Sequence, residues 1–373
     1  MKTMPASSLL ATAILSAVTA AAEETSRPVT FGLFSSLTVT HNFNDPPGHD
    51  NALRVYDTRE GELSLDAVEA VIQRKVATAG DVGFRLDLVA GSAIPHVTAA
   101  SGLFRDPDTG EAEDFDLLQA FVTTIVPIGR GVRFEVGKFV ALIGYEGVEG
   151  VDGWNDTISR SLLFYAEPTT HTGLRASTQL GDSVSAVAYL VNGCDVARDT
   201  NGSPSLGIQL GVARPGSPFS LTVNYLGGPE KADNESDLRH TVDVIGKAVL
   251  SPKLLLGVEL LAAREEGSAA DGDEASWSGA ALYLRTDPTP RVALTLRAEM
   301  LDDPDANRTG TAQRLFEATV AAQLQVAEGL FVRGEVRLDH SDAGVFPAAD
   351  GLSDHQPTLA LNLVWTDSDV FNP

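Results

Sequence analysis

The sequence predicts an all-β fold, a transmembrane antiparallel up-and-down β-barrel of about sixteen strands with short periplasmic turns and long external loops. Three observations lead there. Apolar and polar residues alternate along most of the chain, the links between alternating segments switch between tight and long, and acidic residues gather in the long links.

The 373 residues are 43% hydrophobic and 21% charged, which supplies enough apolar material for a core and too much for a disordered chain. Lys2 opens a leader whose apolar run, Leu9 to Thr19, ends in Ala20-Ala21-Ala22 before Glu23 and Glu24. That pattern reads as a secretory signal peptide over 1–22, cleaved after Ala20 or Ala22. A short periplasmic segment at 23–28, a barrel over 29–366 and a tail at 367–373 would follow. Cys194 is the only cysteine, so an exported chain has no internal disulfide and must hold by packing and hydrogen bonds. No later segment approaches the roughly 18 consecutive apolar residues of a membrane helix. The formal charge of −24 becomes −25 when Lys2 leaves with the leader. Such an acidic chain repels nucleic acid, which is excluded as a partner.

Period two supplies the strands. In PFSLTVNYLGG, Phe219, Leu221, Val223 and Tyr225 form one face and Ser220, Thr222 and Asn224 the other. In FVRGEVRLDH, Val332, Val336 and Leu338 oppose Arg333, Glu335, Arg337 and Asp339. RVALTLRAEM, LFEATVAAQLQVA, VGFRLDLVAG and PTLALNLVW repeat the arrangement, while SVSAVAYLVNG and KLLLGVELLAA are apolar on both faces. LSLDAVEAVIQRKV also fits a helix through Leu65, Val68 and Ile72, and its context makes it a strand. Starts fall near Val29, Glu62, Val82, Phe115, Val132, Thr170, Ser183, Ser205, Phe219, Leu238, Lys253, Ala275, Arg291, Leu315, Leu330 and Thr358.

Every second link is a tight turn built on Gly, Pro and Asp: ATAGD, PIGRG, LGDS, RPGSP, SPK, DPTP and AEG. The others are long, from NFNDPPGHDNALRVYDTRE to HSDAGVFPAADGLSDHQ. A barrel with one end in the periplasm and the other outside the cell has this asymmetry, and a soluble sandwich has no reason for it. Strands of about 9–11 residues cross the hydrocarbon layer when tilted. Closure pairs every backbone donor and acceptor where water is absent. The third external loop, 141–169, is the longest. Folded into so wide a lumen, it would constrict an aqueous channel.

The runs NALRVYDTREGELSLDAVEAVIQR, VGFRLDL, QAFVTTIVPIGRGVRFEVGKFVALIG, WNDTISRSLLFYAEPTTHTGLRAS, VNGCD and NYLGGPE resemble the β-barrel porin-2 family, described as OmpL-like. The similarity is densest from Asn51 to Glu230 and continues as pattern to the C-terminus. It implies a porin in the outer membrane of a diderm bacterium, a water-filled channel for passive diffusion of ions and small polar solutes. The partners implied are outer-membrane lipids, lipopolysaccharide and those solutes, with homo-oligomerisation left open and no substrate named. Two departures stand out. WNDTISRS is more spaced than the family's W-N-x-S-R-S run, and LALNLVW ends at Trp365 with TDSDVFNP after it, so Trp365 or Phe371 closes the last strand.

If the apolar positions face lipid, the alternate set lines the lumen: Arg85, Asp87, Arg133, Glu135, Arg175, Arg239, Asp243, Arg297, Glu299, Glu317, Arg333, Glu335 and Arg337. Such charges are tolerated in water, whereas Arg or Lys facing lipid near the midplane costs about 2–4 kcal/mol. The same residues can equally pair across strands and fill space. Lys138 breaks the phase of Arg133 and Glu135, which predicts a bulge at Gly137 or a position at the rim. On the third loop, Glu146, Glu149, Asp152, Asp156 and Glu167 face a wall rich in arginine, an arrangement that sets up a transverse field. On that reading, neutralising Glu146, Glu149 and Asp152 is expected to change ion selectivity; the same acids can equally be exposed loop residues with no part in the pore.

Phe121, Tyr165, Phe219, Tyr225, Tyr283, Phe331 and Trp365 are candidates for interfacial girdles. Asp106-Pro107-Asp108-Thr109-Gly110 and Asp302-Asp303-Pro304-Asp305 look like fragments of calcium loops without EF-hand spacing, so no metal site or cofactor is expected. There is no G-x-S-x-G, no H-E-x-x-H and no Cys/His cluster, and no enzyme is expected. A barrel with a surface hydrolase or adhesion role and a secreted soluble β-sandwich remain the alternatives.

Overall fold

The structure, a computed structural model, describes residues 29–98, 103–106 and 108–368. In order, the strands are β1 (Thr30–Asn42), β2 (Leu63–Arg74), β3 (Val82–Ala90), β4 (Phe115–Val126), β5 (Val132–Val140), β6 (Thr170–Gln179), β7 (Val184–Val191), β8 (Ser205–Ala213) and β9 (Phe219–Pro229). They continue with β10 (Leu238–Ser251), β11 (Leu254–Glu265), β12 (Ala275–Thr289), β13 (Val292–Asp303), β14 (Gln313–Ala327), β15 (Leu330–Ser341), β16 (Phe346–Ala348), β17 (Gly351–Ser353) and β18 (His355–Ser368). Among the described residues, two short helices, α1 (Ile94–Val97) and α2 (Leu162–Ala166), lie in loops. β1 to β15 and β18 form one closed barrel of neighbours in sequence, and β16–β17 is a separate hairpin in the last external loop. Closure runs from Gly32↔Ser368 to Asn42↔Thr358, all antiparallel.

The expected strand starts fall within 3 residues of the observed ones, and LSLDAVEAVIQR is a strand. Trp365 lies inside β18, which runs on to Ser368. The leader and Phe371 fall outside the described residues. No helix among the described residues is long and apolar enough to cross a membrane.

The alternation acts as a sorting rule. Along β14, burial switches residue by residue from Gln313 to Leu324, with Phe316, Val320 and Leu324 exposed and Glu317, Thr319 and Ala321 buried. Neighbouring strands repeat this, so the outside carries a continuous apolar belt and the inside holds the polar groups. A soluble protein does not expose such a belt, whereas lipid covers it. On β2 a bulge opposite Ser36 and Leu37 lets Asp66 and Ala67 both point inward, where Asp66 accepts from the Ser36 and Thr38 hydroxyls.

Two expectations are corrected. No bulge breaks the β4–β5 register at Gly137, which pairs with Phe121 as Lys138 pairs with Ala120. Gly137 absorbs the phase change with φ 139°, where a Cβ would lie 2.0 Å from the Ala120 carbonyl oxygen. Lys138 is buried in an ion pair with Asp116 at 2.8 Å. The register shift lies one ladder earlier, between Asp87 and Leu88 on β3. Of the seven aromatics, only Phe219, Tyr225 and Trp365 are on the exposed face. Tyr283 stacks on Tyr145, Phe331 packs on Trp154, and Phe121 and Tyr165 join the interior clusters. Strand parity decides this for Phe121, Tyr283 and Phe331, which sit in phase with the inward set and support the loop that enters the barrel, while Tyr165 belongs to α2 of that loop.

Candidate functional site: the third loop in the barrel lumen

The interior clusters are built around the third loop. Its base is closed by the Ala141 N–H donating to the Thr169 carbonyl at 2.9 Å, and between those residues the chain crosses the lumen. A loop buried there must find partners for its backbone groups. Carboxylates of the wall supply the acceptors. Glu335 takes the N–H groups of Ile158 and Ser159 at 2.6 and 3.1 Å. Glu299 takes those of Leu162 and Leu163 at the start of α2, where the positive end of a helix favours an anion. Glu259 takes Tyr145 N–H at 2.8 Å, Asp243 takes Gly144 N–H at 3.2 Å, and Glu69 takes Val151 N–H. Ser161 caps α2 by accepting from Phe164 N–H at 2.9 Å.

Arginines of the wall face the loop's acceptors. Arg297 bonds Glu146 at 2.7 Å, Glu317 at 3.1 Å and the Ser159 carbonyl at 2.9 Å. Arg333 reaches Glu149 at 3.0 Å and the Asn155 carbonyl at 2.9 Å. Arg337 donates to the Arg160 carbonyl and pairs with Asp339. Arg160, on the loop itself, pairs with Glu149 at 2.7 Å and lies over the Tyr56 ring. Burial pushes the Glu146 carboxyl up, but the Arg297 and Arg160 guanidiniums and the Ser161 N–H outweigh it and hold it below the ordinary range. Glu167 has no such cations. Burial, then the nearby Glu259 and Asp243, push its carboxyl well above the ordinary value.

The sequence-predicted charges thus divide. Asp243, Arg297, Glu299, Glu317, Arg333, Glu335 and Arg337 face the docked loop or its neighbours on β10–β15. Arg85, Arg133, Glu135 and Arg175 line a cavity of about 350 Å³ on the β2–β6 side. Asp87 pairs with Arg85 at 2.8 Å, and Arg239 pairs with Glu265 at 2.8 Å. Among the loop acids, Glu146 and Glu149 are buried in ion pairs, Asp156 pairs with Arg285, and Glu167 is buried. Asp152 differs: its side chain is 57% exposed and meets Arg85 at 2.6 Å. A second cavity of about 330 Å³, lined by Glu69, Val148, Asp152, Trp154 and Glu167, shares Arg85, Gln119, Val140 and Asp152 with the first.

Sequence reasoning missed several participants. Arg54, in the first external loop, is buried against Asp339 at 2.6 Å and Asp57 at 3.3 Å, so that loop also enters the lumen. Arg160 and Tyr56 were missed for the same reason: period two says nothing about residues between strands. The signal available was a lone arginine within a short stretch free of other charges, next to apolar residues in ALRVY and between serines in ISRSLLF. The acid-rich loop fragments cap themselves. Asp106 accepts from Asp108 and Thr109 N–H, and Asp303 from Asn307, Arg308 and Thr309 N–H.

A family model described as "Putative beta-barrel porin-2, OmpL-like" matches residues 28–366. No curated protein matches the chain. Among solved structures, the outer membrane channel DcaP of Acinetobacter baumannii aligns with TM-score 0.59 and 12% identity, over 91% of this chain and 97% of its own. An anion-selective porin from Comamonas acidovorans aligns with TM-score 0.60 and 11% identity, over 91% and 99%. OprB of Pseudomonas putida aligns with TM-score 0.55 and 10% identity, over 91% and 94%. At such identities the likeness speaks for the fold.

Proposed function

This chain belongs to the porin-2, OmpL-like family of β-barrels, and on that premise we propose that its passage for ions and small polar solutes runs between the third loop and the β2–β6 wall. The protein is an outer-membrane channel of a Gram-negative bacterium. On this reading it filters by size and charge without any covalent step, so it is not an enzyme. Lipid covers the apolar belt, and lipopolysaccharide borders the acidic external loops.

The observation that carries the reading is the one-sided docking of the loop. Most of its buried polar groups meet β10–β15, with Val151 N–H bonded to Glu69 on β2 and Glu149 N–H to the Tyr56 hydroxyl, while the two adjoining cavities lie on the β2–β6 side. Where the cavities meet, Arg85 on the wall opposes Asp152 on the loop. That ion pair, with the Asp152 side chain more than half exposed, borders the aqueous path and presents charge to passing solutes, which favours polar over apolar ones. Glu146 and Glu149 act as anchors of the loop, which leaves Asp152 as the loop acid that sets selectivity.

Planar-bilayer recordings in a salt gradient test this. Asp152→Asn removes the acid from the path, so the reversal potential should move toward anion preference and the conductance should rise. An unchanged reversal potential and conductance would remove Asp152 from the passage. Folded protein that never conducts would overturn the channel reading itself.

A further inference from the structure

Three carboxylates meet where both ends of the third loop touch the wall: Asp243 on β10, Glu259 on β11 and Glu167 just past α2. Each offers an oxygen within 4.8 Å of the other two. Asp243 and Glu259 are fully buried and Glu167 is 6% exposed. Among the described residues, no lysine or arginine forms an ion pair with any of them. The cations nearby are engaged elsewhere. Arg297 bonds Glu146 and Glu317, Arg175 bonds Glu135, and Lys247 lies over the Tyr145 ring, 4.4 Å from its centroid.

The donors that do reach the triad are neutral and incomplete. Asp243 Oδ2 accepts from Gly144 N–H and Asn224 Nδ2, and Glu259 accepts from Tyr145 N–H and the Tyr283 hydroxyl. Asp243 Oδ1 and Glu167 Oε1 are buried and accept nothing. Buried anionic oxygens without a partner are costly, and this pair belongs to a cluster whose like charges also repel. A positive charge held among the three would satisfy both demands at once.

We infer that Glu167, Asp243 and Glu259 bind one divalent cation of the calcium or magnesium class. The donor set is oxygen only, with no imidazole or thiolate, which selects a hard ion over zinc or copper. Glu167 lines the 330 Å³ cavity, so the ion has a route in from the lumen. The cation ties Glu167, at the end of the loop, to the strands that already hold Gly144 and Tyr145 at its start. It therefore fastens both ends of the loop to β10 and β11. The site lies on the barrel wall and the loop, away from the acidic stretches that resemble calcium loops.

The test is calcium titration of the folded full-length protein in detergent after chelator treatment, read by calorimetry and by bound calcium after desalting. It requires no conduction, so its outcome is separate from that of the channel reading. The wild type is expected to retain about one calcium per chain above the weak binding of its external loops. Glu167→Gln and Asp243→Asn, each checked for heat-modifiable migration, should weaken that calcium at least about tenfold, while Asp305→Asn in an external loop should not. If Asp243→Asn fails to fold, Glu167→Gln decides alone, because its residue lies on a loop. Equal retention by wild type and Glu167→Gln, or none by the wild type, would overturn the site and leave protons as the triad's only compensation.

Discussion

At the scale of single residues, the decisive fact is that charges read as a water-facing lining are largely the partners of a buried loop. Arg297 illustrates it: one guanidinium contacts Glu146, Glu317 and Glu299, the last at 3.5 Å. Replacing it with Met takes the ion-pair partner from buried Glu299 and leaves Glu146 and Glu317 with only the more distant Arg160 and Arg337, at 3.9 and 3.7 Å. Breaking a buried pair typically costs about 3–5 kcal/mol. Arg297→Met should therefore convert from the folded to the unfolded electrophoretic form at a clearly lower temperature than wild type. Glu146 gives a pH signature. Its folded-state carboxyl titrates below the ordinary 4.5, so its pairing stabilises the fold above that value and is lost as pH falls through the lowered pKa. The difference in thermal stability between wild type and Glu146→Gln should be constant from about pH 8 to about pH 5 and shrink at lower pH. A difference that grew on acidification would contradict the pairing. The inward phase of Arg297, Arg333 and Arg337 was legible from alternation with Val332, Val336 and their like. Their individual partners were not, because contacts between β13 and Glu146, or between β15 and Glu149, span a chain separation that no local pattern encodes.

At the scale of elements, strands were the legible part, since a residue facing lipid and its neighbour facing the lumen cannot be exchanged without cost. A one-residue slip would turn every charge into the membrane. Gly137 shows how tightly that register is kept. It carries the phase change between Glu135 and Lys138 at a positive φ with the Ala120 carbonyl oxygen where a Cβ would go. Gly137→Ala should sharply reduce the yield of heat-modifiable barrel on refolding, and a normal yield would show that the backbone can move there. Loops were legible in length and side but not in path. The third loop's entry was anticipated from its length, whereas the entry of the first, with Arg54 and Tyr56 buried, was not. Buried loop backbone depends on partners from distant strands, and those partners look the same in sequence as lining residues.

At the scale of the whole molecule, closure explains both the apolar exterior and the polar interior. The alternation of tight and long links was enough to place the ends. What alternation could not supply was the asymmetry inside, with the loop docked on β10–β15 and open volume along β2–β6. That asymmetry is the central claim, and substituted-cysteine accessibility in single channels tests it most directly. In a Cys194→Ser background, Gln119→Cys and Arg133→Cys should let a charged thiol reagent reduce the current in discrete steps, while Thr319→Cys, beneath the docked loop, should leave it unchanged. Block at position 319 with none at 119 or 133 would place the passage on the wrong wall and contradict the account.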